Sequence, residues 1–289
     1  MRIGIVLFTK VPVRGRIKTR LYISNGGILT EEEAEELYTA CLLDVCEACI
    51  VASAAEQEVD LWVCHDQEGD RQKIQELLQK TSDPGRFRGV FADQGGSFDD
   101  RMQYAAEWVL RGQGGEPADE GVIIIGGDLP SLQPSTLRFA VERLRMLSRT
   151  KEGRAAAAAA PGAGAKNGDL GAALTVGPCQ EGGFSIVGLT KATPFDFYGV
   201  FYNAQGRTAL DMVVDKATAA SIPLALLDTV PDVDIPTDLA SIIPVLRALE
   251  VAAVTDPQIV VPRHTLAVIR RLGFESVALS GEETVGTAS

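Results

Sequence analysis

Residues 1–21 read MRIGIVLFTKVPVRGRIKTRL, and this stretch decides the fold class. Ile3 to Phe8 is a short apolar run rich in β-branched residues, the pattern of a buried strand. It runs into a loop carrying Lys10, Pro12, Arg14, Gly15, Arg16, Lys18 and Arg20. A strand feeding a basic, Gly- and Pro-containing loop is the opening βα unit of a nucleotide-binding α/β domain. Ligands of such sheets sit beyond the carboxyl ends of the strands. Five cations within eleven residues suit phosphoryl oxygens there, Arg as a planar fork and Lys as a point charge. The plain alternative is a solvated basic loop. Against it stands the contrast with the whole chain, whose net charge is −12.

The 289 residues are 46% hydrophobic and 23% charged, enough to build a sizeable core. Such an acidic balance argues against a general nucleic-acid binder, which needs a basic footprint, yet leaves room for one cationic pocket. The first apolar run is too short for a signal peptide or a spanning helix, and no other stretch suggests a membrane span. The expected location is the cytoplasm. An odd set of cysteines (41, 46, 49, 64 and 179) fits a reducing compartment. Cys46 and Cys49 fall within a helix-period segment and read as small core residues; they have no second Cys or His pair at zinc spacing. His65, at a strand end, reads as structural.

Onward from the loop, Thr30 followed by Glu31, Glu32 and Glu33 marks a helix start, and apolar periodicity carries that helix to about Ala54. Strands are expected at 59–64, 87–91 and 122–125, with helices at 71–79, 98–110 and 136–147, the last capped by Ser135. Val122 to Ile125 is apolar at every position and reads as a central, parallel strand. This β-α alternation specifies a doubly wound, mostly parallel sheet in a three-layer sandwich. Residues 149–171 interrupt it with six consecutive alanines among Gly, Pro and Lys, a low-complexity insertion expected to be mobile or partly helical. Strands at 172–176, 184–189 and 224–227 follow, with helices at about 206–220, from Pro236 to Leu249, and at 266–272 before a polar tail. Residues 1–250 form the expected domain and 251–289 a helical extension and tail.

Two acidic sites carry the chemistry. Asp128 closes the most apolar strand, between Gly126-Gly127 and Leu129-Pro130. Small glycines let a ligand approach the backbone, and an Asp there suits a hard cation. Asp232 and Asp234 are two apart, so both carboxylates share one side of an extended segment. Three such oxygen donors would suit Mg²⁺ or Mn²⁺ on phosphate oxygens. Asp234 also precedes Ile235-Pro236, where an Asp can serve simply as a helix cap.

These residues carry a resemblance. Phe8-Thr9-Lys10-Val11-Pro12, Gly15 and Lys18-Thr19-Arg20-Leu21 resemble the signature of a bacterial family of GT-A-type glycosyltransferase-like proteins. That family is associated with radical-SAM or selenium-related gene clusters and with arsenosugar biosynthesis. The resemblance continues through Phe98-Asp99-Asp100-Arg101-Met102, Gly127-Asp128-Leu129-Pro130 and Gly177-Pro178. It then takes in Glu181-Gly182-Gly183-Phe184 and Asp232-Val233-Asp234-Ile235-Pro236-Thr237-Asp238-Leu239, so it spans roughly residues 1 to 245.

It implies a nucleotide-diphosphosugar transferase (Rossmann-like) fold, related to the guanylyltransferase that activates phospholactate. Under it, Lys10, Pro12, Gly15, Lys18, Arg20 and Gly127 belong to nucleotide binding. Asp128 ligates the metal, with Asp232 and Asp234 as further ligands or acceptor-side carboxylates, and Gly182, Gly183 and Phe184 flank the acceptor. Asp128, Glu181 and Arg101 form the catalytic set. Two departures stand out: Glu181-Gly182-Gly183 replaces the family's Asp-Gly-Gly, and Gly126-Gly127-Asp128-Leu129-Pro130 replaces the common Gly-Ser-Asp-Cys-Pro, losing a hydroxyl but keeping the carboxylate. The implied activity is metal-dependent transfer from a nucleotide sugar to a small-molecule acceptor. Nucleotidyl transfer from a nucleoside triphosphate is the alternative reaction, and a non-catalytic nucleotide-binding module is the alternative of another class.

Overall fold

The protein is described here from a computed structural model, in which residues 1–56, 58–112, 118–160 and 169–276 are defined. The middle of the alanine-rich stretch and the end of the polar tail lie outside the described residues.

Seven strands form one sheet: β1 (Ile3–Thr9), β2 (Val59–His65), β3 (Phe87–Ala92), β4 (Gly121–Gly126), β5 (Leu174–Pro178), β6 (Phe184–Thr190) and β7 (Leu224–Leu226). Their spatial order is β3-β2-β1-β4-β6-β5-β7. The expected mostly parallel sheet is present, with β6 as the strand that runs against its neighbours. β4 is central as read from its sequence, but it is parallel only to β1 and antiparallel to β6. An unbroken apolar run reports burial on both faces. It says nothing of a neighbour's direction.

Side-chain alternation divides the core. Ile3, Ile5 and Leu7 of β1 share one buried cluster with Val59, Leu61 and Val63 of β2 and Ile123 and Ile125 of β4. The intervening Val6, Trp62, Cys64, Val122 and Ile124 face the opposite cluster. Helices α1 (Glu31–Ala54), α2 (Arg71–Leu78) and α4 (Pro134–Ser148) cover the first face. The second is covered by α3 (Phe98–Arg111), α5 (Lys151–Ala159) and α6 (Ala209–Ala219). This is the three-layer sandwich. Outside it, α7 (Pro236–Ala252) and α8 (Arg263–Leu272) pack on α1 around Leu37, Leu239, Leu246 and Leu266.

Local signals act as their chemistry dictates. Thr30 caps α1 in a reciprocal box with Glu33, and Ser97 does the same for α3 with Asp100. For α4 the expected Ser135 cap is wrong: the helix starts two residues earlier, with Pro134 at N1 and Gln133 at the cap position. Pro at N1 loses no helical hydrogen bond, so it outcompetes the serine. The alanine-rich stretch is helical in its first half, where Thr150 caps α5 and Ala156 and Ala157 join the core.

By length and apolarity, α1 could cross a membrane, contrary to the sequence-based expectation of no such stretch. Yet 78% of its most apolar window is buried inside the protein. Its apolarity follows from its place between the sheet and α8. There Asp44 accepts the backbone N–H groups of His264 and Thr265 at 3.1 and 2.7 Å, capping α8 from within α1. Cys46 and Cys49 are buried in the same layer, as small core residues should be.

Candidate functional site

At the carboxyl ends of the strands lies a cavity of about 400 Å³. β4 delivers Asp128 to it through Gly126 and Gly127. A Cβ on Gly127 would come within 2.7 Å of Thr9 Oγ1 and 3.1 Å of Leu42 Cδ1, so only glycine lets β1 and β4 close here. The segment before α7 delivers the other two carboxylates. Val233 is buried and its N–H donates to the Asp128 carbonyl at 3.2 Å. That single bond sets Asp232 and Asp234 beside Asp128. Gln180 secures the segment from the β5–β6 connection, donating to the Asp232 carbonyl at 3.0 Å and accepting the Asp232 N–H at 3.2 Å. The three Asp carboxylates then have oxygens within 4.8 Å of one another.

Asp234 is not a helix cap. Asp238, inside the first turn of α7, accepts the N–H groups of Asp234 and Ile235, both at 2.9 Å. The Asp234 carboxylate is thereby left for Lys18 and Arg20.

Lys18 reaches this cluster because its backbone is left-handed (φ 50°) at the start of a 3-10 turn, Thr19–Leu21. A non-glycine residue in that region stores about 1–2 kcal/mol. Its Nζ lies 2.5 Å from Asp128 and 2.6 Å from Asp234. It also lies 5.4 Å from the centre of the Tyr38 ring. Burial acts to lower the Lys18 pKa, but Asp128 and Asp234 outweigh it and hold the ammonium charged. Burial works against ionising Asp234 too, and there Lys18 and Arg20 prevail. Asp232 makes no ion pair among the described residues, and burial, then Asp128 and Asp234, outweigh the pull of Lys18 and push it up to about 6. Three carboxylates faced by the Lys18 ammonium and the Arg20 guanidinium leave a deficit of positive charge, and the donors are hard oxygens. The residues therefore fit a divalent ion, with Lys18 as its stand-in. Cys179 beside them is pushed up to about 12, by burial first and then by the same acids, so its thiol stays protonated.

Of the residues singled out from sequence, Lys10, Lys18, Arg20 and Arg101 line the cavity. So do Gly127, Asp128, Phe184, Asp232 and Asp234. The others lie off the lining. Pro12 is buried in the loop base, and Gly15 makes a left-handed turn against Glu31. Glu181 is exposed with φ 57°. Gly182 packs on Thr208, where a Cβ would stand 2.6 Å from Cγ2, and Gly183 lies against Cys179. The basic loop is thus divided: Arg14 pairs with Glu31 and Glu32, and Arg16 with Glu68, away from the cavity.

Other lining residues escaped the sequence reading. Asp66 and Asp93 each follow the last residue of a parallel strand, β2 and β3. That position was the available signal. Asp66 Oδ1 accepts the Val11 N–H at 2.6 Å, and Asp93, its pKa raised by burial, accepts the Gln67 N–H at 2.9 Å. Tyr38 comes from the middle of α1, and its hydroxyl meets Thr9 Oγ1 at 2.7 Å and the Lys10 N–H at 3.1 Å. Nothing in a helical period marks that one tyrosine.

The family profile described as "Uncharacterized protein conserved in bacteria (DUF2064)" matches residues 49–204, just over half of the chain. The comparison with curated proteins gives no match. Among solved structures, the chain is similar to a "putative nucleotide-diphospho-sugar transferase" from Desulfovibrio desulfuricans G20. The two share 20% identity over 94% of this chain and 98% of that one, with a TM-score of 0.63. A cytidylyltransferase from Leptospira borgpetersenii aligns more loosely, at 13% identity over 94% and 95% of the two chains, TM-score 0.47. The first of these likenesses bears on architecture, and it agrees with the sheet order above: the fold is that of the nucleotide-diphospho-sugar transferases.

Proposed function

We propose that this chain, which belongs to the family described as uncharacterized protein conserved in bacteria (DUF2064), is a cytoplasmic, metal-dependent transferase with a nucleotide-sugar donor and a small-molecule acceptor. The observation that carries this reading is the meeting of Asp128, Asp232 and Asp234 with Lys18 in one cavity. In this proposal residues 1–250 are the transferase unit and 251–289 its helical extension. The narrower kinship with arsenosugar-type transferases rests on the motif set alone.

The three aspartates would hold Mg²⁺ or Mn²⁺, which when bound supplies Lewis-acid stabilisation to diphosphate oxygens. Lys18, Lys10 and Arg20 offset charge on the phosphates, so the leaving nucleoside diphosphate departs into a cationic setting. Displacement of the Lys18 ammonium from Asp128 and Asp234 frees it to do so, within the short reach of its own side chain. Arg101 offers its fork to the ribose, base or acceptor. Gly127 lets the diphosphate come close to the β4 backbone. Pro12 and Gly15 shape the phosphate loop, and Glu181, Gly182 and Gly183 orient the acceptor wall behind Phe184.

Isothermal calorimetry with nucleoside triphosphates and nucleotide sugars, each with Mn²⁺, Mg²⁺ or chelator, tests the reading. Metal-dependent binding of a nucleotide sugar is the expected result. Preference for a free triphosphate would replace glycosyl by nucleotidyl transfer, and absence of any binding would reject both.

A further inference from the structure

Two acids and one arginine of the cavity stand apart from the metal and phosphate groups. Asp66 and Asp93 follow β2 and β3, and Arg101 belongs to α3. A backbone N–H fixes each carboxylate by one oxygen. Asp66 Oδ1 takes that of Val11, in the loop after β1, and Asp93 Oδ1 takes that of Gln67, in the loop after β2. Asp93 is only 3% exposed, yet its other oxygen meets no donor among the described residues, and neither does that of Asp66. Arg101 makes one hydrogen bond among those residues, a 3.5 Å approach of Nε to the Gly95 carbonyl, so the outer edge of its fork is unused. A buried carboxylate oxygen without a donor is costly unless a ligand supplies one. The cluster therefore suits a ligand with two N–H donors and, beside them, acceptors for a guanidinium.

The sheet decides which part of the substrate comes here. β1, β2 and β3 are parallel with helices between them, one mononucleotide-binding half of a doubly wound sheet. Across β1 the pattern fails, because the other neighbour of β4 is the antiparallel β6. The aspartate triad and Lys18 stand where β1 adjoins β4, the place of the proposed diphosphate. Strands ~4.8 Å apart put the ends of β2 and β3 roughly 10 and 14 Å from the end of β4. A nucleoside spans that gap from its diphosphate to the far edge of its base. Asp66 is also tied through Val11 to the phosphate loop itself.

Among the bases, guanine satisfies both acids. It carries adjacent donors, N1–H and the 2-amino group, and two acceptors, O6 and N7, that an Arg fork takes together. Cytosine and adenine set one amino group beside a ring nitrogen whose lone pair would face the second carboxylate. Uracil has a single N–H between two carbonyls. Each of these leaves a buried carboxylate oxygen unpaired. We propose that Asp66, Asp93 and Arg101 select guanine, which makes the donor a guanosine nucleotide. This rests on the transferase reading above and goes beyond it in naming the base.

The test is calorimetry of the full chain with Mg²⁺ and nucleoside diphosphates that differ in the base alone. GDP is expected to bind about tenfold or more tightly than UDP, CDP or ADP, and about tenfold more tightly than inosine diphosphate, which lacks only the 2-amino group. The variant Asp66→Asn/Asp93→Asn keeps a carbonyl oxygen for each backbone N–H and presents amide donors to the ligand. It should lose the preference for GDP and favour xanthosine diphosphate, whose base has a carbonyl in place of the 2-amino group. Pyrophosphate, which has no base, should bind both proteins alike. Equal affinities for the diphosphates, preference for another base, or a GDP preference that survives the double substitution overturns the proposal. So does a variant that loses pyrophosphate as well, which would make the two acids structural supports of the loops. Failure of the unaltered chain to bind any nucleotide with Mg²⁺ is a separate outcome, and it overturns the transferase reading on which the assignment rests.

Discussion

The two ends of the sheet handle acidic groups in opposite ways. At the amino end, every acid of the ion pairs has a cation within reach. The Met1 ammonium meets Glu58 at 3.0 Å, Arg88 meets Asp60 at 2.6 Å and Arg145 meets Glu56 at 2.9 Å. At the carboxyl end, Asp128 and Asp234 share the buried Lys18 ammonium, Arg20 adds to Asp234, and Asp232 beside them is pushed up to about 6. Such neutralised pairs near the surface tie down chain ends and contribute little each. A converging, under-neutralised cluster stores electrostatic work that a bound cation releases. The amino end has one exception, Asp119. It is buried, and the Trp62 indole N–H beside its oxygens makes at best a poorly aligned hydrogen bond to them, with no better partner among the described residues. Burial, then Asp60, push its pKa up to about 7. It faces no cavity among those described, so the same kind of shift here is a cost of folding.

The contrast is sharpest in turnover. Asp128→Asn should lower the rate of the proposed transfer about 10²–10³-fold, whereas Asp60→Asn at the other end leaves it within about twofold. Equal effects of the two changes on a steady-state assay would dissolve the distinction.

Removing the shared cation comes next. Lys18→Met leaves Asp128 and Asp234 buried without their partner, a loss of roughly 3–5 kcal/mol in metal-free buffer. Adding Mg²⁺ or Mn²⁺ should restore much of it, and more than it adds to the unaltered protein. Thermal melts with and without the ion read both numbers, and a metal-insensitive variant would break the stand-in argument.

Asp119 predicts a dependence of opposite sign to that of a paired acid. Its folded pKa of about 7 lies above the usual carboxylate value. The stability it contributes is therefore complete below about pH 4 and is lost as pH rises through 7. Asp119→Asn should remove that decline, gaining roughly 2–4 kcal/mol at pH 8 and nothing near pH 4 in urea titrations. A variant whose stability tracks the parent across this range would mean that Asp119 finds a partner in solution.

The smallest effect belongs to an exposed pair. Glu120→Gln, which loosens a 3.6 Å contact with the Met1 ammonium, should shift stability by no more than about 1 kcal/mol in the same titration.

Strand ends explain how much of this could be read in advance. Asp128 was legible because a run of apolar residues must stop somewhere, and the first acid after it sits at the ligand-bearing edge. Lys18 and Arg20 were legible as part of a cationic loop, but their separation from Arg14 and Arg16 was not. Which cations turn inward depends on the left-handed backbone at Lys18 and on glutamates from α1 and the β2–α2 connection. The DxD pair was ambiguous in sequence because Asp234 could have capped α7. Asp238 settles that by taking the cap. The parallel assignment for both sides of β4 failed because strand direction is a property of its partner, and the Ser135 cap failed because Pro134 fits the first turn better.

What the sequence by itself determined is therefore periodic and local: the alternation that buries both faces of the sheet, the caps of α1 and α3, and the loop that follows β1. What only the tertiary structure decided is convergence. Asp128 and Asp234 are 106 positions apart and Lys18 a further 110 from Asp128, yet they share one ion-pair cluster. Asp99 reaches 100 positions along the chain to hold Tyr202's loop over the same cavity. Such contacts depend on sheet order and packing, and spacing along the chain does not encode them because distance in sequence and distance in space part company at every crossover.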